Sequence, residues 1–146
     1  MHTKHILCPL DLSTNSLEAI DVATSLAKGD RGKITFLYTA VPELPADAGY
    51  AAIEEVAAAT KVAQAELEQI RPTDPTVRFR HELRTGEPSM EIVKFAGDNQ
   101  VDMIVMTTHG RSGISRLLMG SVAEHVIRKA PCPVLTLRST AKSSVS

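Results

Sequence analysis

Val101 to Ser121 reads VDMIVMTTHGRSGISRLLMGS. Its first part, Met103 to Met106, is an apolar run that follows Asp102 and gives way to polar, glycine-containing sequence. Such a run suits a strand buried on both faces. The second part keeps backbone-permissive residues at intervals, Gly110, Gly113 and Gly120, and Ser121 then opens a helical pattern. Glycine lets a loop approach a ligand closely and expose its N–H groups. A helix start adds unpaired N–H groups and a partial positive charge, which favours phosphate. The stretch predicts a strand, a phosphate-cradling loop and a helix N-terminus, in that order. No Lys-Ser or Lys-Thr pair follows the glycines and no Gly-x-Gly-x-x-Gly follows a strand, so neither of the two commonest phosphate loops is present.

Before this stretch, strand and helix patterns alternate. His5 to Leu10 reads as a strand running into Pro9-Leu10-Asp11, and Ser13 is an N-cap residue type for a helix reaching Lys28. In that helix Ala19, Ile20, Val22, Ala23, Leu26 and Ala27 fill one arc, and Gly29 ends it. Lys33 to Ala40 is a second strand, rich in β-branched and aromatic residues. Val41 to Tyr50, with two prolines, reads as a surface loop. A long helix follows from about Ala51 to Ile70, with Ile53, Val56, Thr60, Ala63, Leu67 and Ile70 on one stripe. Val77 to Leu83 alternates apolar residues and His81 against Arg78, Arg80 and Glu82, a half-exposed strand at a sheet edge. Pro88 opens a helix that turns Met90, Val93 and Ala96 inward.

After the organising stretch, Ser121 to about Lys129 forms a helix with Val122, Ala123, Val126, Ile127 and Ala130 inward. Pro131 stops it, and Val134 to Leu137 is the last strand. The small, polar tail from Ser139 to Ser146 has the composition of a disordered end. Five strands alternating with four helices predict a three-layer α/β fold with a mainly parallel sheet and right-handed crossovers. No repeat or linker divides the 146 residues, so residues 1–138 are expected to form a single domain.

Composition narrows the function classes. Apolar residues make up 43% and charged residues 23%, the balance of a globular protein. No apolar run is long enough to span a bilayer, and the N-terminus lacks a signal peptide pattern, so the expected compartment is the cytoplasm. A formal charge of −1 and a chain without Trp give neither a basic field nor a stacking platform for nucleic acid. Cys8 and Cys132 each precede proline at an expected strand, and they read as buried reduced thiols.

The loop spacing resembles the ATP-binding branch of the universal stress protein family. That pattern is Gly, two residues, Gly, nine residues, Gly, then Ser or Thr. Here Gly110, nine intervening residues and Gly120-Ser121 match it, with Thr107 at the first Gly position. Ile6 to Asp11 and Ala130 to Leu135 extend the resemblance over nearly the whole chain. It implies strand order 3-2-1-4-5, with a chain reversal between strands 1 and 4. Ligands bind outside the carboxyl ends of strands at such a reversal, here flanked by Asp11 and by Met106 to Gly110. It further implies ATP with Mg²⁺, a homodimer built on strand 5 from Val134 to Leu137, and an unidentified regulatory partner.

The candidate site residues follow from both readings. Gly110, Gly113, Gly120 and Ser121 form the expected phosphate cradle, while Val122 and Ala123 add only backbone N–H groups. A Gly-Ser pair also serves as an ordinary helix cap. Arg111 is either a phosphate contact or a solvated loop charge. The family resemblance places Asp11, after Pro9 and Leu10, beside the adenosine, Met106 against the adenine, and Thr39 at the end of strand 2 as part of the base wall. Asp11 reads equally as a cap for the following helix. His109 sits in the loop near Thr107. With no Ser or Cys partner at a recognisable motif, it reads as a binding or loop-packing residue, and no catalytic residue is assigned. Two other classes stay open: a slow nucleotide hydrolase or transferase on the same fold, and a nucleotide-free interaction module.

Overall fold

A computed structural model describes residues 3–12, 16–41, 44–108 and 120–138. Strand and helix alternate: β1 His5–Leu10, α1 Ser16–Gly29, β2 Lys33–Ala40, α2 Tyr50–Glu68, β3 Arg78–Thr85, α3 Pro88–Asp98, β4 Met103–Thr107, α4 Ser121–Lys129 and β5 Val134–Leu137. The strands form one sheet in the order β3-β2-β1-β4-β5, and every neighbouring pair is parallel. This is the expected α/β architecture of five strands and four helices, with the reversal between β1 and β4.

Alternation along the strands divides the core into two layers. Ile6, Cys8 and Leu10 of β1, Ile34 and Phe36 of β2 and Val105 of β4 pack with Ala19, Ile20, Ala23 and Ala27 of α1 and Leu67 of α2. Leu7, Leu37, Ile104 and Met106 point the other way, against Ile92, Phe95 and Ala96 of α3 and Ala123 and Val126 of α4. Side chains of a strand alternate between faces, so a strand covered on both sides reads as a continuous apolar run. Cys8 is fully buried, and burial pushes its thiol up to about 12. Both cysteines are free thiols, but Cys132 is only half-buried, contrary to expectation, because it lies just before β5 instead of within it.

Three expectations are corrected in detail. The α2 stripe is buried only near its C-terminal end: Leu67 is 1% exposed, but Ile53 is 49% exposed. Spacing fixes which side of a helix is apolar, not how far the sheet extends beneath it. On α3, Met90 is 61% exposed, and Ile92, Phe95 and Ala96 make the contact. The buried stripe opens on Ser89, a polar residue satisfied by a hydrogen bond from its hydroxyl to the Glu87 carboxylate, which hides the true phase of the helix. On α4, Ala123 and Val126 are buried while Ile127 is 43% exposed. The cap expected at Ser13 and the tail from Ser139 lie outside the described residues. No helix of the described residues is long and apolar enough to cross a membrane.

Candidate functional site

The carboxyl ends of β1, β2 and β4 meet the amino ends of α3 and α4 around a crevice of about 360 Å³. The reversal creates it. The chain leaves β1 for a helix on one face of the sheet and leaves β4 for a helix on the other, so the two connections part. The floor is Leu37, Ile92 and Met106, all members of the core layer shared with α3 and α4. Pro9, Leu10 and Asp11 form one wall, and Tyr38, Thr39 and Val41 form a second. Thr107 and Thr108 at the end of β4 face the start of α4, Gly120 to Ala123, and Pro88 closes the α3 side.

The backbone around α4 is tied down at both ends. Thr108 donates its N–H to the Leu137 carbonyl at 2.9 Å and accepts the Gly120 N–H on its own carbonyl at 2.7 Å. These bonds fix the ends of β4 and β5 and the first residue before α4 as one frame. Gly120 is the N-cap, with φ −64° and ψ 154°, and no side chain among the described residues is hydrogen-bonded as a cap there. Helix geometry leaves the N–H groups of Ser121, Val122 and Ala123 without intrahelical partners. Ala123 packs in the core and Val122 against it, so both present backbone rather than side chain to the crevice. The helix dipole adds to their donor character.

The other helix start is closed by its own residue. Glu87 accepts the Met90 N–H at 3.0 Å as the N-cap of α3. The Ser89 hydroxyl, then the Met90 amide, hold the Glu87 carboxyl below the ordinary carboxylate range, against a partial desolvation that raises it. Among the described residues, an anion entering the crevice therefore meets a helix terminus without a side-chain cap at α4 and a capped one at α3. Asp11 is the carboxylate that lines the crevice among the described residues, with Oδ2 shielded from solvent. The residue after it, Leu12, adopts a left-handed backbone at φ 64°. That conformation costs a non-glycine residue about 1–2 kcal/mol, and Leu12 is held there by packing against the core. No group of three His, Cys, Asp or Glu among the described residues is placed to hold a metal ion.

Of the residues anticipated from sequence, Pro9, Leu10, Asp11, Thr39, Met106, Thr107, Gly120, Ser121, Val122 and Ala123 all line this one crevice. His109, Gly110, Arg111 and Gly113 lie outside the described residues. Sequence reading missed Leu37, Tyr38, Val41, Pro88, Ile92 and Thr108. Tyr38, Val41 and Thr108 adjoin positions already singled out, so extending each strand end by a residue or two would have found them. Pro88 and Ile92 come from a helix that only the tertiary fold brings to the site.

Comparison with known proteins places the chain. The model of the universal stress protein family matches residues 2–138. The chain belongs to the universal stress protein family. Universal stress protein MJ0531 of Methanocaldococcus jannaschii is 35% identical over 145 residues, which are 95% of this chain and 84% of the relative. The solved structure of the hypothetical protein MJ0577 superposes with a TM-score of 0.86 at 28% identity, covering 97% of this chain and all of that one. A universal stress protein solved in complex with cAMP shares the fold at 23% identity, with a TM-score of 0.63 over 96% of this chain and 100% of that one. The crevice of this family member thus sits where the sheet order reverses, in a fold that a relative with cAMP bound also adopts.

Proposed function

We propose that this universal stress protein binds ATP and acts as a regulatory module, with residues 1–138 as one nucleotide-binding domain in the cytoplasm. The observation that carries the reading is the start of α4: a helix terminus with no side-chain cap among the described residues, fixed by the Thr108 frame, lines the same crevice as an apolar floor. Apolar floor and anion-binding terminus suit the two ends of a nucleotide, a flat base and a phosphate chain. The complex of a related fold with cAMP supports the capacity of this architecture to accommodate an adenine nucleotide. The residues present fit the group. Leu37, Ile92 and Met106 offer the base an apolar surface, and Ser121, Val122 and Ala123 offer amide donors to phosphate. Mg²⁺ binds through one or two carboxylates and the phosphates themselves, and Asp11 is the carboxylate that lines the crevice among the described residues. Its chemistry there is neutralisation of phosphate charge. Hydrolysis is expected to run far below the roughly ten turnovers per second of a typical enzyme, since no water-activating base is assigned.

Mass spectrometry of nucleotide released from freshly purified protein, followed by calorimetric titration with ATP and Mg²⁺, tests this. Recovery of ATP, or saturable binding on titration, is the expected result. A protein that releases no nucleotide and also rejects added ATP is instead a nucleotide-free interaction module.

A further inference from the structure

The crevice lies at one end of the sheet, but the sheet also has an unused side. Among the described residues β3 pairs with β2 alone, so one row of its backbone N–H and C=O groups faces away from the sheet. Its two faces differ in chemistry. Phe79, His81 and Leu83 follow the apolar layer, with Phe79 still 38% exposed and tilted against Phe36 at 6.3 Å. Arg78, Arg80, Glu82 and Arg84 line the opposite face. Arg80 and Arg84 lie over the Phe95 ring at 5.9 and 5.0 Å, and Glu82 bridges them at 3.0 and 3.3 Å. Glu91 of α3 also pairs with Arg84 at 3.5 Å, so three arginines face two glutamates and the excess positive charge falls towards Arg78. Arg78 makes no ion pair among the described residues, and its recorded contact is a hydrogen bond of 3.5 Å to the Arg31 carbonyl. Lys33 stands beside it as its partner in the parallel register.

We propose that the open edge of β3 is an interaction surface that adds an extended peptide strand alternating acidic and apolar residues. Backbone hydrogen bonds supply affinity in strand addition, and the side chains of alternate positions supply choice of partner. An added strand places one set of side chains beside Arg78 and Arg80, with Lys33 one strand further in on β2, and carboxylates are favoured there. It places the other set beside Phe79, where apolar residues cover exposed ring. A second copy of this chain is the disfavoured occupant, because its own positive row meets the first. The site is separate from the crevice and does not depend on nucleotide binding.

The probe is a blocked Glu-Val repeat peptide as long as the 8 residues of β3, with a Lys-Val repeat of the same length as control. Hydrogen exchange of the intact chain should show new protection at the β3 amides that point away from β2, with the acidic peptide and not the basic one. Arg78→Glu should weaken the acidic peptide by about tenfold and improve binding of the basic one, since each cross-strand charge pair turns from attraction to repulsion. Arg78→Gln, which keeps a polar side chain, should fall between them, and equal melting temperatures exclude a folding defect. Added salt should weaken the acidic peptide. The proposal is overturned by no protection at millimolar peptide, by protection elsewhere on the chain, by equal binding of the two peptides, or by self-association through β3.

Discussion

Gly120 donates its backbone N–H to the carbonyl of Thr108 at 2.7 Å, which takes Gly120 itself out of the set of amides that can meet a phosphate. What Gly120 supplies is the N-cap position, on the crevice wall and without a side chain. In the proposed nucleotide complex the donors are instead Ser121, Val122 and Ala123, the first residues of α4.

That division of labour makes Ser121 the most informative position. Proline is tolerated at the first position of a helix, and it requires the preceding residue to be extended, as Gly120 already is at φ −64° and ψ 154°. Ser121→Pro thus deletes one amide donor with little change of fold, while Ser121→Ala deletes only the hydroxyl. Titration with ATP and Mg²⁺ should show a loss of about tenfold or more for Ser121→Pro, the scale of a hydrogen bond to a charged group. If Ser121→Ala loses as much, the hydroxyl and not the backbone holds the phosphate.

How much of this was legible beforehand differs from element to element. Strand order came from the family resemblance, but the two-sided burial of β1 and β4 was visible in Ile6 to Leu10 and Met103 to Met106, because a doubly covered strand has no polar face. The start of α4 was visible too, since Gly-Ser before a helical pattern has few other uses. The α3 wall was not. Ser89 opens its buried stripe, and a periodicity search that counts only apolar residues shifts to Met90, which is 61% exposed. The commitment of the Gly120 amide was equally hidden, because it depends on where β4 stops relative to β5, a matter of register and not of composition.

Two glycines should differ sharply in their tolerance of substitution. A Cβ on Gly32 would sit 2.4 Å from the Thr3 carbonyl oxygen and 2.8 Å from that of Lys4, both backbone atoms at the start of β1. Gly32→Ala must displace the β1–β2 entry and should cost about 3 kcal/mol. Gly29, with open space around its Cβ position, ends α1. Gly29→Ala should be neutral or stabilise slightly. Urea denaturation of the two variants gives the comparison, and equal midpoints would contradict it.

Stability should fall as the solution is acidified below neutrality, through His5. Its ring is buried beside Phe95, with Nε2 2.8 Å from Thr35 Oγ1 and Nδ1 3.3 Å from the Asn99 carbonyl. Desolvation, then the positive charge of Lys33, lowers its pKa below 6.5, against a smaller opposing effect of the Asn99 carbonyl. The unfolded chain therefore takes up the proton first. Stability is fully present above the ordinary value of 6.5 and is lost as the pH falls from there towards the lower folded value. Denaturation curves at neutral pH and about one unit below the unfolded value should separate by up to about 1 kcal/mol. His5→Gln, which does not titrate, should show a smaller separation. An unchanged pH dependence in that variant would assign the effect to another group.

The last prediction concerns the edge opposite β3. Among the described residues β5 pairs only with β4, and its segment from Val134 to Leu137 carries no charge. Leu135 is 36% exposed there, on the face of its register partner Val105, and Ile127 of α4, which covers the opposite face of the sheet, is 43% exposed. An uncharged, apolar edge strand is an open template for pairing. Two copies of β5 running antiparallel about a two-fold axis would cover both edges in one closed contact, the commonest symmetry of oligomers. Sedimentation should then find twice the 15.7 kDa monomer mass. Leu135→Lys would bring like charges together near the axis and should shift the equilibrium towards monomer while leaving the melting of the monomer fold intact. Ile127→Lys should act in the same direction more weakly, since it lies on the helix beside the strand. A wild-type chain that remains monomeric at high micromolar concentration rules the prediction out, and a dimer indifferent to both substitutions places its interface elsewhere.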